Sequence, residues 1–354
     1  MPMDEIIGYE ALWNSMQKCK RGVLWKDSVA NFVLNGVKEV GRLSDELMHG
    51  TYKERQHKYF EITAPKRRRI MSISFRDRVY QRSLNDVAIY PEMIRHFIYD
   101  NAACQKGKGT DFARRRLECH LQRFFRKHGR NGYVLKIDVK GYYPNMRHDA
   151  VKRKFGRYLE PDILNAASAI LDGFPGDVGF NPGSQIIQIA GISLLDDIDH
   201  YIKERLRVKH YLRYMDDMLL ISNSREELEK YRQIISEKLA AIGFSMHPEK
   251  TQIIPLTKEI EFLGFRYRLT ETGKIAKILD PDRARAERKK LKRLVNLANA
   301  GKLTKDKVDK CYASWRAHAS KGNTWHLMQK MDIYYRSLWG NNNAEHGDCA
   351  RKDS

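Results

Sequence analysis

Three aspartates carry the clearest chemistry in the chain. Asp216 and Asp217 are adjacent in Tyr214-Met215-Asp216-Asp217, between two short apolar stretches at 210–214 and 218–222. Asp138 closes the run Val134, Leu135, Ile137. Two apolar runs around a polar doublet predict a β-hairpin, and 133–138 predicts a buried strand. Side chains alternate along extended backbone, so adjacent aspartates point apart and a carboxylate on a neighbouring strand end can meet one of them. Three carboxylates at one spot cannot all stay ionised unless cations lie between them. Oxygen-only donors suit Mg²⁺, with Mn²⁺ also accepted, and two such ions serve in-line phosphoryl transfer. An isolated Asp-Asp is also a good turn sequence. Here Tyr211, Leu212, Leu219, Leu220 and Ile221 anchor the turn in a sheet.

Other elements must hold these strands. Residues 10–50 are expected to be helical, with Val29, Phe32, Val33, Val37 and Val40 at helical spacing. Residues 59–74 read as a hairpin crossed by Lys66, Arg67, Arg68 and Arg69, and 76–98 as helix with a break at Pro91. Long helices are expected over 148–171 and 187–206, and an amphipathic helix over 225–242 capped at Gly243. Residues 244–247 and 253–255 read as extended, and 262–269 as a strand turning at Thr272-Gly273. Beyond Pro281 the chain becomes basic and helical to about Trp339. Residues 341–354 are nearly devoid of apolar side chains and are expected to be disordered.

Charge narrows the partners. The 354 residues hold 65 Lys+Arg against 44 Asp+Glu, a net of +21 that calls for a polyanion, nucleic acid first. Residues 105–130 carry nine cations against two acids, and 281–310 eleven against four. Any one such run could be a solvated helix face. Three separated clusters repel one another unless something neutralises them. No apolar run of about 18 residues predicts a membrane span, and residues 1–10 lack the pattern of a secretory signal. A cytoplasmic protein without a membrane partner is expected. The five cysteines form no CxxC pair, which argues against a zinc site or a disulfide scaffold.

The Tyr-Met-Asp-Asp hairpin, preceded by Lys136-Ile137-Asp138-Val139-Lys140-Gly141-Tyr142-Tyr143, resembles the palm of reverse transcriptases. Further blocks follow the family's order. Arg69-Ile70-Met71-Ser72-Ile73 with Phe75-Arg76-Asp77-Arg78-Val79-Tyr80-Gln81 is similar to the fingers motifs of bacterial retroelement enzymes. Phe97-Ile98-Tyr99-Asp100 and Lys106-Gly107-Lys108-Gly109-Thr110 resemble the next block. Pro248-Glu249-Lys250-Thr251 and Phe262-Leu263-Gly264-Phe265 match the two blocks after the hairpin. Ser314-Trp315-Arg316-Ala317-His318 with Gly322-Asn323 is similar to the thumb of group II intron and diversity-generating retroelement relatives.

The resemblance implies an α+β right-hand polymerase, with fingers and palm around an antiparallel sheet and a helical thumb. Its parts would be an N-terminal fingers extension (1–58), fingers (59–132), palm (133–280), thumb (281–340) and tail (341–354). It implies an RNA-directed DNA polymerase with two Mg²⁺ ions on Asp138, Val139, Asp216 and Asp217. Lys250 would stand near the leaving pyrophosphate, although a solvated lysine reads the same way. The nucleotide would meet Arg69, Arg78, Lys140, Gly141, Tyr142, Tyr143, Pro182 and Gln188, with the Tyr143 ring under the sugar and excluding a ribose 2′-hydroxyl. Primer and template would meet Lys66, Arg67, Arg68, Phe262, Leu263, Gly264, Arg285, Arg288, Lys289 and Lys292. The partners implied are a structured RNA template, a DNA primer or product, dNTPs and an accessory retroelement or defence protein.

The block Asn181-Pro182-Gly183-Ser184-Gln185-Ile186-Ile187-Gln188 departs from the pattern. Ile187 stands where a Ser is expected, and Pro182 offers no side-chain donor where high-fidelity relatives place a Gln. Relaxed nucleotide selection is the consequence expected. A defence enzyme making DNA without ordinary templating, and an RNA-binding maturase, are the alternatives.

Overall fold

The computed structural model describes residues 3–62, 68–181 and 183–340, with backbone alone for residues 68 and 69. Lys66, Arg67, Pro182, the side chains of Arg68 and Arg69, and the tail at 341–354 therefore lie outside the described residues. The chain divides into two compact units, Met1–Leu117 with Val134–Ile253, and Glu118–Tyr133 with the residues from Ile254 onward. Residues 118–132 and 254–280, grouped above with fingers and palm, fall in the second unit.

In the first unit β1 (Lys58–Ile62) and β2 (Arg68–Ser72) form an antiparallel hairpin with Phe60 opposite Ile70. The sheet that matters is built from β3 (Tyr133–Asp138), β4 (His210–Tyr214), β5 (Asp217–Ser222) and β6 (Gln252–Pro255). Its order is β4-β5-β3-β6, with β4 and β5 antiparallel. β5 lies between two strands, and its Met218-Leu219-Leu220-Ile221 run is buried at consecutive positions, so both faces of the strand are covered and no polar alternation shows. Each such side chain contributes about 2 kcal/mol on burial. In the second unit β7 (Ile260–Phe262), β8 (Phe265–Leu269) and β9 (Ile275–Leu279) form an antiparallel meander. Its helices Pro281–Asn299, Lys305–Ala319 and Trp325–Gly340 close on Leu291, Tyr312 and Met331. The α+β class holds.

Several expected elements are interrupted, each for a local reason. The helical stretch near the N-terminus is split into Asp4–Ile7, Tyr9–Cys19, Asp27–Leu34 and Gly36–Met48. The break at Asn35 shifts the helical phase, so Val29, Phe32 and Val40 are buried while Val37 is 70% exposed. Pro91 does not end its helix. The chain widens to a π-turn at Asn85–Ile89 between Phe75–Leu84 and Tyr90–Ile94, and Pro91 enters at the start of the last segment, where its missing N–H costs least. The stretch 148–171 becomes His148–Phe155 and Pro161–Asp172, and 187–206 becomes Gln185–Leu194, Asp196–His200 and a π-turn at Tyr201–Arg205. The helix Arg225–Ala241 opens on a side-chain N-cap, with the Ser224 hydroxyl accepting from the Glu227 N–H, and passes to Gly243 at φ +84°.

Candidate active site

The β4–β5 hairpin is tighter than the sequence suggests. Tyr214 pairs with Asp217, so the loop is Met215-Asp216 alone and Asp217 already belongs to β5. Met215 carries φ +55°, a left-handed conformation unfavourable for a side chain of its size. Strain of this kind persists only where the surroundings impose it. Met215 is held from two sides. Its Sδ lies 3.6 Å from Cys104 Sγ, and its carbonyl accepts from Arg213 Nη1 at 2.8 Å.

β3 lies beside β5 and delivers Asp138 to the neighbourhood of the doublet. The three carboxylates feel one another. Burial raises the Asp216 carboxyl above its usual range, and the Asp138 charge adds to the effect. Asp217 is pushed up to about 6, by burial first and then by the charges of Asp216 and Asp138, with Lys136 and Lys250 opposing. Lys250 Nζ stands 3.3 and 3.4 Å from the two Asp138 oxygens. The segment bearing Lys250 is tied to the strand end by backbone. The His247 N–H donates to the Asp138 carbonyl at 2.7 Å and the Lys140 N–H to the Ser245 carbonyl at 2.9 Å, while Val139 bridges to Met246. Among the described residues no three His, Cys, Asp or Glu side chains stand close enough together to hold a metal ion as placed. The donor chemistry nevertheless suits one: oxygen ligands whose mutual repulsion a divalent cation relieves.

The other sequence candidates divide. Tyr143 opens the short 3-10 turn Tyr143–Asn145 after Gly141, which takes φ +57°. Its ring lies so close to Gly191 that a Cβ there would come within 3.2 Å of the hydroxyl. Tyr142 does not face solvent with its side chain. It is buried, with its hydroxyl donating to the Gly191 carbonyl and its ring against Phe244. Lys140 is exposed. Gln188 lines a 270 Å³ cavity with Arg82, Tyr90, Cys104 and Gln185. Ile187, the residue standing in place of the expected Ser, is fully buried. Arg78 lines a second cavity of 270 Å³ with Arg21, Gln81 and Ser184, and its Nε is buried without a hydrogen-bond partner among the described residues.

In the second unit Phe262, Leu263 and Gly264 do not form one strand. Leu263 (φ +44°) and Gly264 (φ +86°) make the tight turn between β7 and β8, and the Phe262 ring is buried. On the helix Pro281–Asn299, Arg285, Lys289 and Lys292 are exposed. Arg288 is exposed as well, and it also lies over the Tyr334 ring at 5.3 Å, with Nε 3.3 Å from Met331 Sδ, which ties it to the helix Trp325–Gly340.

Sequence reasoning missed Arg213 and Asp199 as a pair. Both are fully buried, and they meet through contacts of 2.6 to 2.9 Å. The signal was present: an arginine inside the apolar strand His210–Tyr214, two residues from Tyr211 and so on the same face.

Known proteins resemble this chain in sequence and in part of their fold. Residues 64–267 match the family described as reverse transcriptase (RNA-dependent DNA polymerase). Over 84 residues the chain is 31% identical to the Gag-Pol polyproteins of Rous sarcoma virus subgroup C (strain Prague) and of avian leukosis virus subgroup A (isolate RSA). That stretch is 23% of this chain and 5% of each polyprotein, so the chain spans a small fraction of those relatives. Among solved structures, an apo telomerase from Candida tropicalis truncated from its C-terminal domain superposes with a TM-score of 0.46 at 14% identity, over 62% of this chain and 54% of that one. A telomerase from Candida albicans, in complex with a fragment of telomeric RNA, gives 0.48 at 11% identity, over 87% and 65%.

Proposed function

The chain belongs to the reverse transcriptase (RNA-dependent DNA polymerase) family, and from that premise we propose that it extends a DNA strand on an RNA template, as the enzyme of a bacterial or phage retroelement. The observation that carries this reading is the placement of Asp138, at the end of β3, beside β5 with its Asp216-Asp217 doublet, and of Lys250 against Asp138. In this reading Asp138, Val139, Asp216 and Asp217 would hold two Mg²⁺ ions, which would supply positive charge for phosphoryl transfer. Lys250 holds a proton beside Asp138 and gives it, as general acid, to the departing pyrophosphate. Tyr143 lies under the sugar and discriminates against a 2′-hydroxyl. Arg69, Arg78 and Gln188 orient the triphosphate and base, arginine because its planar fork matches phosphate. The first unit acts as fingers and palm, and the helices of the second grip the duplex through exposed Arg285, Lys289 and Lys292. The ordered bacterial-type blocks support the retroelement assignment, and Pro182 supports relaxed nucleotide selection.

Primer extension on RNA with the purified chain and Mg²⁺ tests the reading. Asp216→Ala is expected to abolish incorporation and leave RNA affinity within two-fold, because it removes a metal ligand and no basic surface. Chelation with EDTA is expected to stop the unaltered chain. Equal loss of synthesis and RNA binding in Asp216→Ala would make the hairpin structural. Sequencing the products separates templated synthesis from template-free synthesis, and RNA binding without any product would favour a maturase.

A further inference from the structure

Arg213 is a charged side chain with no solvent exposure, two residues before the catalytic turn, and nothing in the chemistry above employs it. Its Nε donates to both Asp199 oxygens at 2.8 and 2.9 Å, and its Nη2 to Asp199 Oδ2 at 2.6 Å and to the Ile192 carbonyl at 2.8 Å. The Tyr211 hydroxyl donates to Asp199 Oδ1 at 2.6 Å. Nη1 reaches the other way and donates to the Met215 carbonyl at 2.8 Å. The backbone of Arg213 is also fixed, with its N–H on the Asp100 carbonyl and its carbonyl accepting from the Ala102 N–H.

A fully buried ion pair is poor value for stability, because an apolar pair of similar volume serves as well or better. What an apolar pair cannot supply is a charged donor for the Met215 carbonyl. Met215 holds a left-handed φ, and its carbonyl carbon is bonded directly to the Asp216 nitrogen. A donor fixed on that carbonyl therefore fixes the peptide plane from which the Asp216 carboxylate projects. Asp199 lies on the helix Asp196–His200, which follows the helix Gln185–Leu194 bearing Gln188. The guanidinium also takes the Ile192 carbonyl of that helix, so one side chain references the carboxylate turn to the element carrying a nucleotide contact.

We propose that Asp199 and Arg213 are positioning residues that set the Met215–Asp216 peptide, and with it the Asp216 carboxylate, relative to the helix Gln185–Leu194. The proposal rests on the polymerase reading above.

Pre-steady-state nucleotide addition separates it from a merely structural role. Arg213→Lys keeps the charge for Asp199 but has one nitrogen and cannot span to Met215 as well. It is expected to fold, to bind RNA within two-fold of the unaltered chain and to hold KM for dNTP within about three-fold. Its burst rate is expected to fall at least ten-fold at unchanged burst amplitude. A structural role would shrink the amplitude, which counts competent molecules, and leave the rate alone. The isosteric Asp199→Asn and the paired apolar D199L/R213M are measured alongside, and any of the three that folds decides the matter. A folded variant with a normal burst rate overturns the positioning role while the polymerase reading stands. Failure of all three to fold assigns the cluster to stability alone and also overturns it. No addition by the unaltered chain on an RNA template overturns the polymerase reading, and this inference with it.

Discussion

At the scale of single residues, the site is shaped as much by what is missing as by what is present. Gly191 has no side chain because the Tyr143 ring and hydroxyl occupy the space that a Cβ would enter, at 3.2 to 3.4 Å. Burial raises the Tyr143 hydroxyl above its usual range, so the ring stands neutral at any working pH. Replacing Tyr143 with Ala is expected to increase incorporation of ribonucleotides relative to deoxyribonucleotides by ten-fold or more, since removing the ring opens the space under the sugar. Gly191→Ala is expected to move the same ratio in the same direction by a smaller factor, because the new methyl displaces the ring without deleting it. Competition between matched rNTP and dNTP pools measures both, and an unchanged ratio in Tyr143→Ala would leave the ring a packing residue. The two variants together distinguish the presence of the ring from its placement.

At the scale of elements, strands were more legible than helices, and the reason is physical. β3 and the β4–β5 hairpin were readable because each is a compact apolar run ending on a carboxylate. The helices were overextended wherever a break costs the apolar pattern little. Val37 fits the spacing of its neighbours in sequence, yet it is exposed because the turn at Asn35 rotates the next helix by part of a turn. Leu263-Gly264 was hidden because leucine is not a turn residue, yet Leu263 takes a positive φ here. Arg213 stood out in an apolar strand, but its pairing with Asp199 was hidden, because an ion pair between positions 14 residues apart leaves no local periodicity. The helix Tyr9–Cys19 shows what such long-range ties contribute. Its Lys18 donates to Asp86 at 2.9 Å, and Arg82 donates to the same carboxylate at 2.8 Å. Burial works to raise Asp86, but the hydrogen bonds from Lys18 and Arg82 outweigh it and hold the carboxyl below its ordinary 3.8. A depressed folded-state pKa contributes stability that is full above 3.8 and is lost as pH falls through the lower folded value. Asp86→Asn is therefore expected to cost up to about 1 kcal/mol at neutral pH, with Lys18 half in solvent. The difference from the unaltered chain should close as denaturation is followed from pH 5 towards pH 2. A gap that persists at pH 2 would mean that Asp86 acts by packing and not by charge.

At the scale of the whole molecule, the net charge of +21 is the dominant fact, and its cations are not equivalent. Among the described residues no helix is long and apolar enough to cross a membrane. In the second unit the helix Pro281–Asn299 buries Ala284, Leu291 and Val295 along one stripe and presents Arg285, Lys289 and Lys292 to solvent. Arg288 on the same helix lies against Tyr334 and Met331, so its charge also serves packing. A cation that binds phosphate releases a condensed counterion, and each contact to a single strand adds roughly −0.7 to the slope of log K against log salt. Six contacts give a slope of roughly −4. Replacing Arg285, Lys289 and Lys292 together by Ala is expected to make that slope shallower by about 2, which is three contacts, and to leave thermal stability within about 0.5 kcal/mol. Arg288→Ala is expected to do the reverse, lowering the melting temperature and changing the slope by less than about 0.7 if its charge is engaged in packing. Fluorescence anisotropy of a labelled single-stranded RNA between 50 and 300 mM salt, paired with thermal melts, reads both quantities. If the triple variant keeps the full slope, phosphate contacts lie elsewhere on this basic surface and the helix Pro281–Asn299 serves only to pack its unit.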